Sequence, residues 1–118
     1  MQRIKRRQDF VAAAKALSQA QTSLILQFRD RKDVEAPRIG FTCTKKLGNA
    51  VARNRIKRRL KEAARLTLPD LARSGADYVV IGRSAAENRS FELLQSDLIS
   101  ALQRLHAKAA NAPEKSAP

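Results

Sequence analysis

The stretch KKLGNAVARNRIKRRLKEAAR, residues 45–65, constrains the fold more than any other part of the chain. Asn49 suits the N-cap of a helix, and Pro69 stops that helix near Leu68. At 100° per residue, Ala52, Ile56, Leu60, Ala63 and Thr67 fall within about 40° of one line. That narrow apolar stripe must face a core. Arg53, Arg55, Lys57, Arg58, Arg59, Lys61 and Arg65 cover the remaining arc. The segment has nine basic residues and one acid, Glu62, and so supplies +8 of the chain's +13. A solvated helix usually mixes both signs at i,i+4 spacing, whereas Arg55 with Arg58 and Arg59, and Lys57 with Lys61, place like charges together. Self-repulsion of this kind destabilises a compact state unless a polyanion relieves it. Arg offers a planar fork for phosphate oxygens and Lys a mobile point charge. Nucleic acid is the partner that fits.

Around this helix the remaining elements form a single domain. Phe10, Val11, Ala14 and Leu17 stand at helical spacing behind Asp9, which predicts a first helix. Ser18–Thr22 reads as a turn. Ser23–Arg29 alternates Leu24, Leu26 and Phe28 against Ile25, Gln27 and Arg29, a strand pattern. RIGFTCT is a second strand with Ile39, Phe41 and Cys43 on one face, and the pair suggests an antiparallel hairpin. DYVVIGR holds an uninterrupted apolar run, which suits a central strand covered on both faces. Ser90 can cap a last helix with Phe91, Leu94, Leu98, Ala101, Leu102 and Leu105 inward. The order is α-β-β-α-β-α, an α+β sandwich of a small sheet and helices over residues 1–110. Residues 111–118, small, polar and Pro-containing, read as a disordered tail.

Composition excludes several classes. The pI of about 11.1 fits nucleic acid or an anionic membrane, but a membrane helix needs a long apolar run or a broad apolar face. The longest apolar runs span only a few residues, so no membrane partner is expected. No apolar segment follows the basic start MQRIKRRQDF, so no signal peptide is expected. Cys43 is the only cysteine and His106 the only histidine, too few for a Cys/His zinc site. A lone cysteine fits a reducing cytoplasm.

The candidate contacts follow from these elements. Gly48-Asn49 reverses the chain; it also places backbone N–H groups beside Lys45 and Lys46, where a phosphate would be stabilised. It is not a Walker A loop, lacking the Gly-Lys-Ser/Thr ending. Asn54 among cations can hydrogen-bond ribose or base, or simply be solvated. Phe10 belongs either to the core or to a surface that stacks an unpaired base, and Ile25 and Gln27 carry the same ambiguity. Acids are few and scattered, and no general acid/base pair or metal cluster is legible, so no catalytic residue is assigned. Cys43, alternating with Ile39 and Phe41, reads as a small core residue.

RIGFTCTKKLGNAVARNRIKRRLKEAAR closely resembles the signature of the bacterial ribonuclease P protein component. The Lys-Lys loop, Gly-Asn-Ala-Val, Arg-Asn-Arg and the following Lys/Arg residues all stand in place, and the likeness extends over about residues 3–106. The resemblance implies a non-catalytic subunit of a ribonucleoprotein endonuclease that removes the 5′ leader of precursor tRNA. The RNA subunit would carry the hydrolysis with Mg²⁺ bound mainly to RNA, one protein per RNA. It also implies a left-handed βαβ crossover, opposite to the general rule. By resemblance, the contacts to ribonuclease P RNA fall to Lys45, Lys46, Asn49, Arg53, Asn54, Arg55, Lys57, Arg58, Arg59 and Lys61. The leader of precursor tRNA would run in a cleft at Phe10, Ala14, Ile25 and Gln27. Ala14 and Gln27 stand where aromatic residues are common in the family, which implies weaker stacking there. Two rival readings are a general RNA-binding module without a role in cleavage, and an autonomous ribonuclease.

Overall fold

Tyr78 to Ile81 have no polar interruption because their strand lies in the middle of the molecule. In the computed structural model, which describes residues 1–111, this strand is β5 (Ala76–Gly82), central in a five-stranded sheet. Around it stand β1 (Gln2–Arg3), β2 (Leu17–Ala20), β3 (Leu24–Asp30) and β4 (Arg38–Thr42), in the order β1-β4-β5-β3-β2. The helices are α1 (Arg7–Ala14), α2 (Ala50–Thr67) and α3 (Phe91–Asn111), with 3₁₀ turns at Lys45–Leu47 and Ser84–Glu87. The tail expected at 111–118 lies, from residue 112 on, outside the described residues.

The α+β reading holds, and three details of it are corrected. First, β3 and β4 do not form a hairpin. β5 inserts between them, antiparallel to β3 and parallel to β4. Both outer strands have an apolar face, and β5, apolar on both sides, offers each a better partner than they offer one another. Second, the expected turn at residues 18–22 contains β2, which pairs antiparallel with β3, Leu17 opposite Phe28. Leu17 is therefore a strand residue and not the end of a helical stripe. Third, Gln2–Arg3 adds a short parallel edge strand to β4. Two residues are too few for a sequence pattern to announce.

The two faces of the sheet differ in chemistry. Leu24, Leu26 and Phe28 of β3, Ile39 of β4, and Tyr78 and Val80 of β5 point toward α2 and α3. Against them lie Ile56, Leu60, Ala63 and Ala64 of α2 and Leu94, Leu98, Ala101, Leu102 and Leu105 of α3, all buried. Truncating one of these leucines to Ala costs about 2–5 kcal/mol through lost transfer energy and the cavity left behind. Gly82 lets α2 come this close: a Cβ there would stand 3.0 Å from Ile56 Cγ2 and 3.1 Å from Cys43 Sγ. The Thr67 hydroxyl, also buried, donates to the Ala63 carbonyl at 2.8 Å and so needs no outside partner.

The opposite face carries α1. Ala13 is buried against Val79 and Ile4, with Phe10 and Ile81 packed around them. The inward line of α1 is thus Phe10 and Ala13; Val11 and Ala14, expected inward, are exposed. Eight residues offer too little periodicity to fix the buried side by sequence alone.

Candidate nucleic-acid interface

The basic helix starts where the sequence places it. Asn49 caps α2, its side-chain oxygen accepting from the Ala52 N–H at 2.9 Å. Gly48 adopts φ 125°, a conformation that favours glycine, and turns the chain from the 3₁₀ segment into the helix. Lys45 and Lys46 are exposed in that segment, just before the helix N-terminus, and no acid stands in the first turn. Ile56, Leu60, Ala63 and Thr67 of the apolar stripe are buried, and Ala52 at its start is half-buried.

Rotation about α2 sorts the cations. Asn54, Arg55 and Arg58 are exposed; Arg53, Lys57, Arg59 and Lys61 are half-buried, their stems lying along the protein. Lys57, Arg53 and Lys61 lie on the side of Cys43, whose thiol is pushed up by burial against the pull of these charges. Cys43 is half-buried and packs against the core, in keeping with a small core residue. Arg55, Arg58 and Arg59 surround Phe91 at the start of α3. Arg59 also donates to the Arg89 carbonyl, which fixes its guanidinium to the turn before α3. Glu62, the lone acid of the segment, is taken up by Arg65 three residues on, with Nε to Oε2 at 3.1 Å. Among the described residues no carboxylate pairs with any other cation of α2.

The α1 face forms a second surface. Ile25 and Gln27 of β3 are half-buried beside α1, level with Ile81 and Val79 of β5. Phe10 lies over Gly40: a Cβ at Gly40 would meet the ring at 2.5 and 2.6 Å. The ring is half-buried, packed against the small core of this face yet still partly accessible. Ala14 is exposed at the end of α1, where its methyl group offers little contact area.

One end of this face holds a cluster that sequence reasoning missed. Asp77 opens β5 and is fully buried. Arg38 binds it through two bonds of 2.8 Å, Arg31 donates to it at 2.5 Å, and Arg29 reaches it at 3.5 Å. Arg29 also bonds Asp9 of α1 at 3.0 Å, and Arg38 approaches Asp9 at 3.5 Å. Burial acts to raise the Asp77 carboxyl, but the hydrogen bonds and charges of Arg38 and Arg31 outweigh it and hold it below the usual carboxylate range. The cluster ties α1 to the sheet and sets where the helix lies. Its signal was an acid opening an otherwise apolar central strand, since a buried charge must find partners.

His106 is equally structural. Its Nε2 lies 2.8 Å from the Tyr78 hydroxyl, and its ring packs edge-on against Phe28. Burial, with Arg73 nearby, pushes its pKa down and so favours the neutral ring. Among the described residues no group of three or more His, Cys, Asp or Glu side chains is placed to hold a metal ion. Nor, among them, is any helix long and apolar enough to cross a membrane.

Comparison with known proteins agrees with this architecture. The family model described as Ribonuclease P matches residues 1–106. The ribonuclease P protein component of Ruegeria pomeroyi is 54% identical over 107 residues, covering 88% of this chain and 86% of that protein. That of Caulobacter vibrioides is 47% identical, covering 90% and 72%. The solved structure of the Staphylococcus aureus RNase P protein superposes with a TM-score of 0.72 at 30% identity, covering 89% of this chain and 95% of that one. The RNase P protein of Thermotoga maritima gives a TM-score of 0.72 at 26% identity, covering 88% and 97%. The family that the signature in residues 38–65 resembles is the one these matches show: the chain belongs to the ribonuclease P protein family.

Proposed function

We propose that this subunit binds the RNA of ribonuclease P along α2 and guides the 5′ leader of precursor tRNA across the α1 face. The observation that carries this reading is the segregation of charge on α2. Its one acid is engaged by Arg65, while Arg53, Arg55, Lys57, Arg58 and Lys61 make no ion pair among the described residues. A rigid row of this kind suits a folded phosphate surface. Lys45, Lys46, Asn49, Asn54 and Arg59 border the same row. On the other face, Phe10, Ile25 and Gln27 form a half-open floor beside α1 on which unpaired bases can lie.

The action is electrostatic and positional. Two folded RNAs repel; a +13 body between them screens that repulsion and fixes the path of the leader. Among the described residues no group of three or more His, Cys, Asp or Glu side chains is placed to hold Mg²⁺, and Asp9 and Asp77 are committed to arginines. In this reading the RNA holds Mg²⁺ and carries the hydrolysis, with one protein per RNA, in the cytoplasm.

The test is to mix the protein with a bacterial ribonuclease P RNA and labelled precursor tRNA at low Mg²⁺ and follow cleavage at the mature 5′ end. Cleavage that requires the RNA and is raised by the protein supports the proposal. Tight RNA binding without enhancement would favour a general RNA-binding module, and cleavage by protein alone would refute the assignment of chemistry to RNA.

A further inference from the structure

Beyond the exposed row of α2 lies a cavity of about 330 Å³ between that helix and the β1–β4 edge of the sheet. Ile39, Phe41, Ala64 and Pro69 line its apolar part. Arg3, Arg58, Lys61 and Arg65 bring four cations to it, against one carboxylate, Glu62, which Arg65 already occupies. Among the described residues Arg3, Arg58 and Lys61 make no ion pair. Burial, then the Arg3 and Lys57 charges, push the Lys61 ammonium down.

The shape of the site is specific. β1 pairs with β4 so that Arg3 stands opposite Ile39, and the Arg3 guanidinium lies over the Phe41 ring, 5.5 Å from its centroid. A guanidinium is planar and can itself stack on a base. An apolar lining, a planar cation and unpaired charges beside it are features that suit an unstacked base with its phosphate. The volume stands at the small end of ligand pockets, about 300–1,000 Å³, which suits one nucleotide.

We infer that this cavity is a nucleotide pocket: it takes one extruded base of the RNA bound along α2, stacked on Arg3, with its phosphate between Arg58 and Lys61. The occupant follows from charge complementarity and from continuity, because Arg58 and Lys61 belong both to the cavity and to the basic face of α2. The inference rests on the proposed binding of RNA by α2.

The experiment uses the full chain and a bacterial ribonuclease P RNA. Affinity is measured for the wild type, Arg3→Lys, Arg3→Gln and Arg55→Ala, and Phe41→p-azidophenylalanine is photo-crosslinked to the RNA. Arg3→Lys keeps the charge and removes the plane. It is expected to weaken binding about tenfold, the scale of one stacked base, and nearly as much as Arg3→Gln. The crosslink is expected at a single unpaired nucleotide. Wild-type affinity of Arg3→Lys, or crosslinks scattered along the RNA or directed to protein, would overturn the pocket while a weakened Arg55→Ala left RNA binding by α2 standing. An Arg55→Ala variant with wild-type affinity would overturn the underlying reading itself. Should the azido variant fail to fold, the comparison of Arg3→Lys with Arg3→Gln decides alone.

Discussion

Gly40→Ala should displace Phe10 and so couple the packing of α1 to the leader surface. Gly40 lies in β4 without a left-handed backbone, so the added methyl group acts through space alone. It would stand 2.5 and 2.6 Å from two carbons of the Phe10 ring and 3.4 Å from Ile4 Cδ1. Carbon atoms in contact prefer about 3.5–4.0 Å, so the ring must move by about 1 Å or more or α1 must lift. Overpacking of this kind costs about 1–3 kcal/mol. Loss of glycine's freedom in the unfolded chain returns about 0.4–1 kcal/mol. The overpacking term wins, leaving a net destabilisation of about 1–2 kcal/mol and a fall in Tm of about 4–10 °C for a chain of this size. Thermal unfolding followed by circular dichroism reads this directly. A double-mutant cycle gives the sharper result. In Phe10→Leu the side chain ends short of the clash, so Gly40→Ala should cost little in that background, with a coupling of about 1 kcal/mol or more. The single Gly40→Ala variant should also lose preference for precursor over mature tRNA. Strictly additive effects, or a Gly40→Ala protein as stable as wild type, would refute this account of Phe10.

Three further outcomes are expected. Asp77→Asn leaves Arg31 and Arg38 without their carboxylate and should cost about 3 kcal/mol, read from denaturant midpoints. Because the Asp77 pKa is lowered in the fold, its contribution is complete above the unfolded carboxylate value of about 3.9 and is lost as pH falls through the folded value; the variant should lack this part of the acid transition. His106 has the same sign for a different reason: burial favours its neutral form, so stability should decline as pH drops below its unfolded value of about 6.5, and His106→Phe should be flat over that window. Arg55→Ala should weaken binding of a bacterial ribonuclease P RNA and reduce the slope of log affinity against log salt by about 0.9, whereas an unchanged slope would place Arg55 off the phosphates.

Much of the molecule is legible along the chain because its causes are local. The 3.6-residue spacing of Ile56, Leu60, Ala63 and Thr67, the Asn49 cap and the Pro69 stop define α2 with no reference to anything distant. The alternation of β3, the continuous apolar run of β5 and the leucine spacing of α3 are of the same kind. The basic row belongs here too, since charge density is a property of composition, and the Lys-Lys to Arg-Asn-Arg signature fixed the family.

Pairing is not local. Which strands become neighbours depends on the summed burial of both faces of the sheet, and only the assembled fold placed β5 between β3 and β4. The same assembly brought Arg29 of β3, Arg31 just after it and Arg38 of β4 onto Asp77, and Asp9 from α1 beside them. It also set Arg3 over Phe41 across 38 positions of sequence and closed a cavity against α2. The sequence by itself determined the three helices, the strands β3, β4 and β5 and where charge accumulates, because helix and strand periods and caps act within a few residues. Tertiary structure alone decided strand order, the buried side of α1, the partners of Asp77 and the cavity, because each is a contact between segments that no short-range pattern connects.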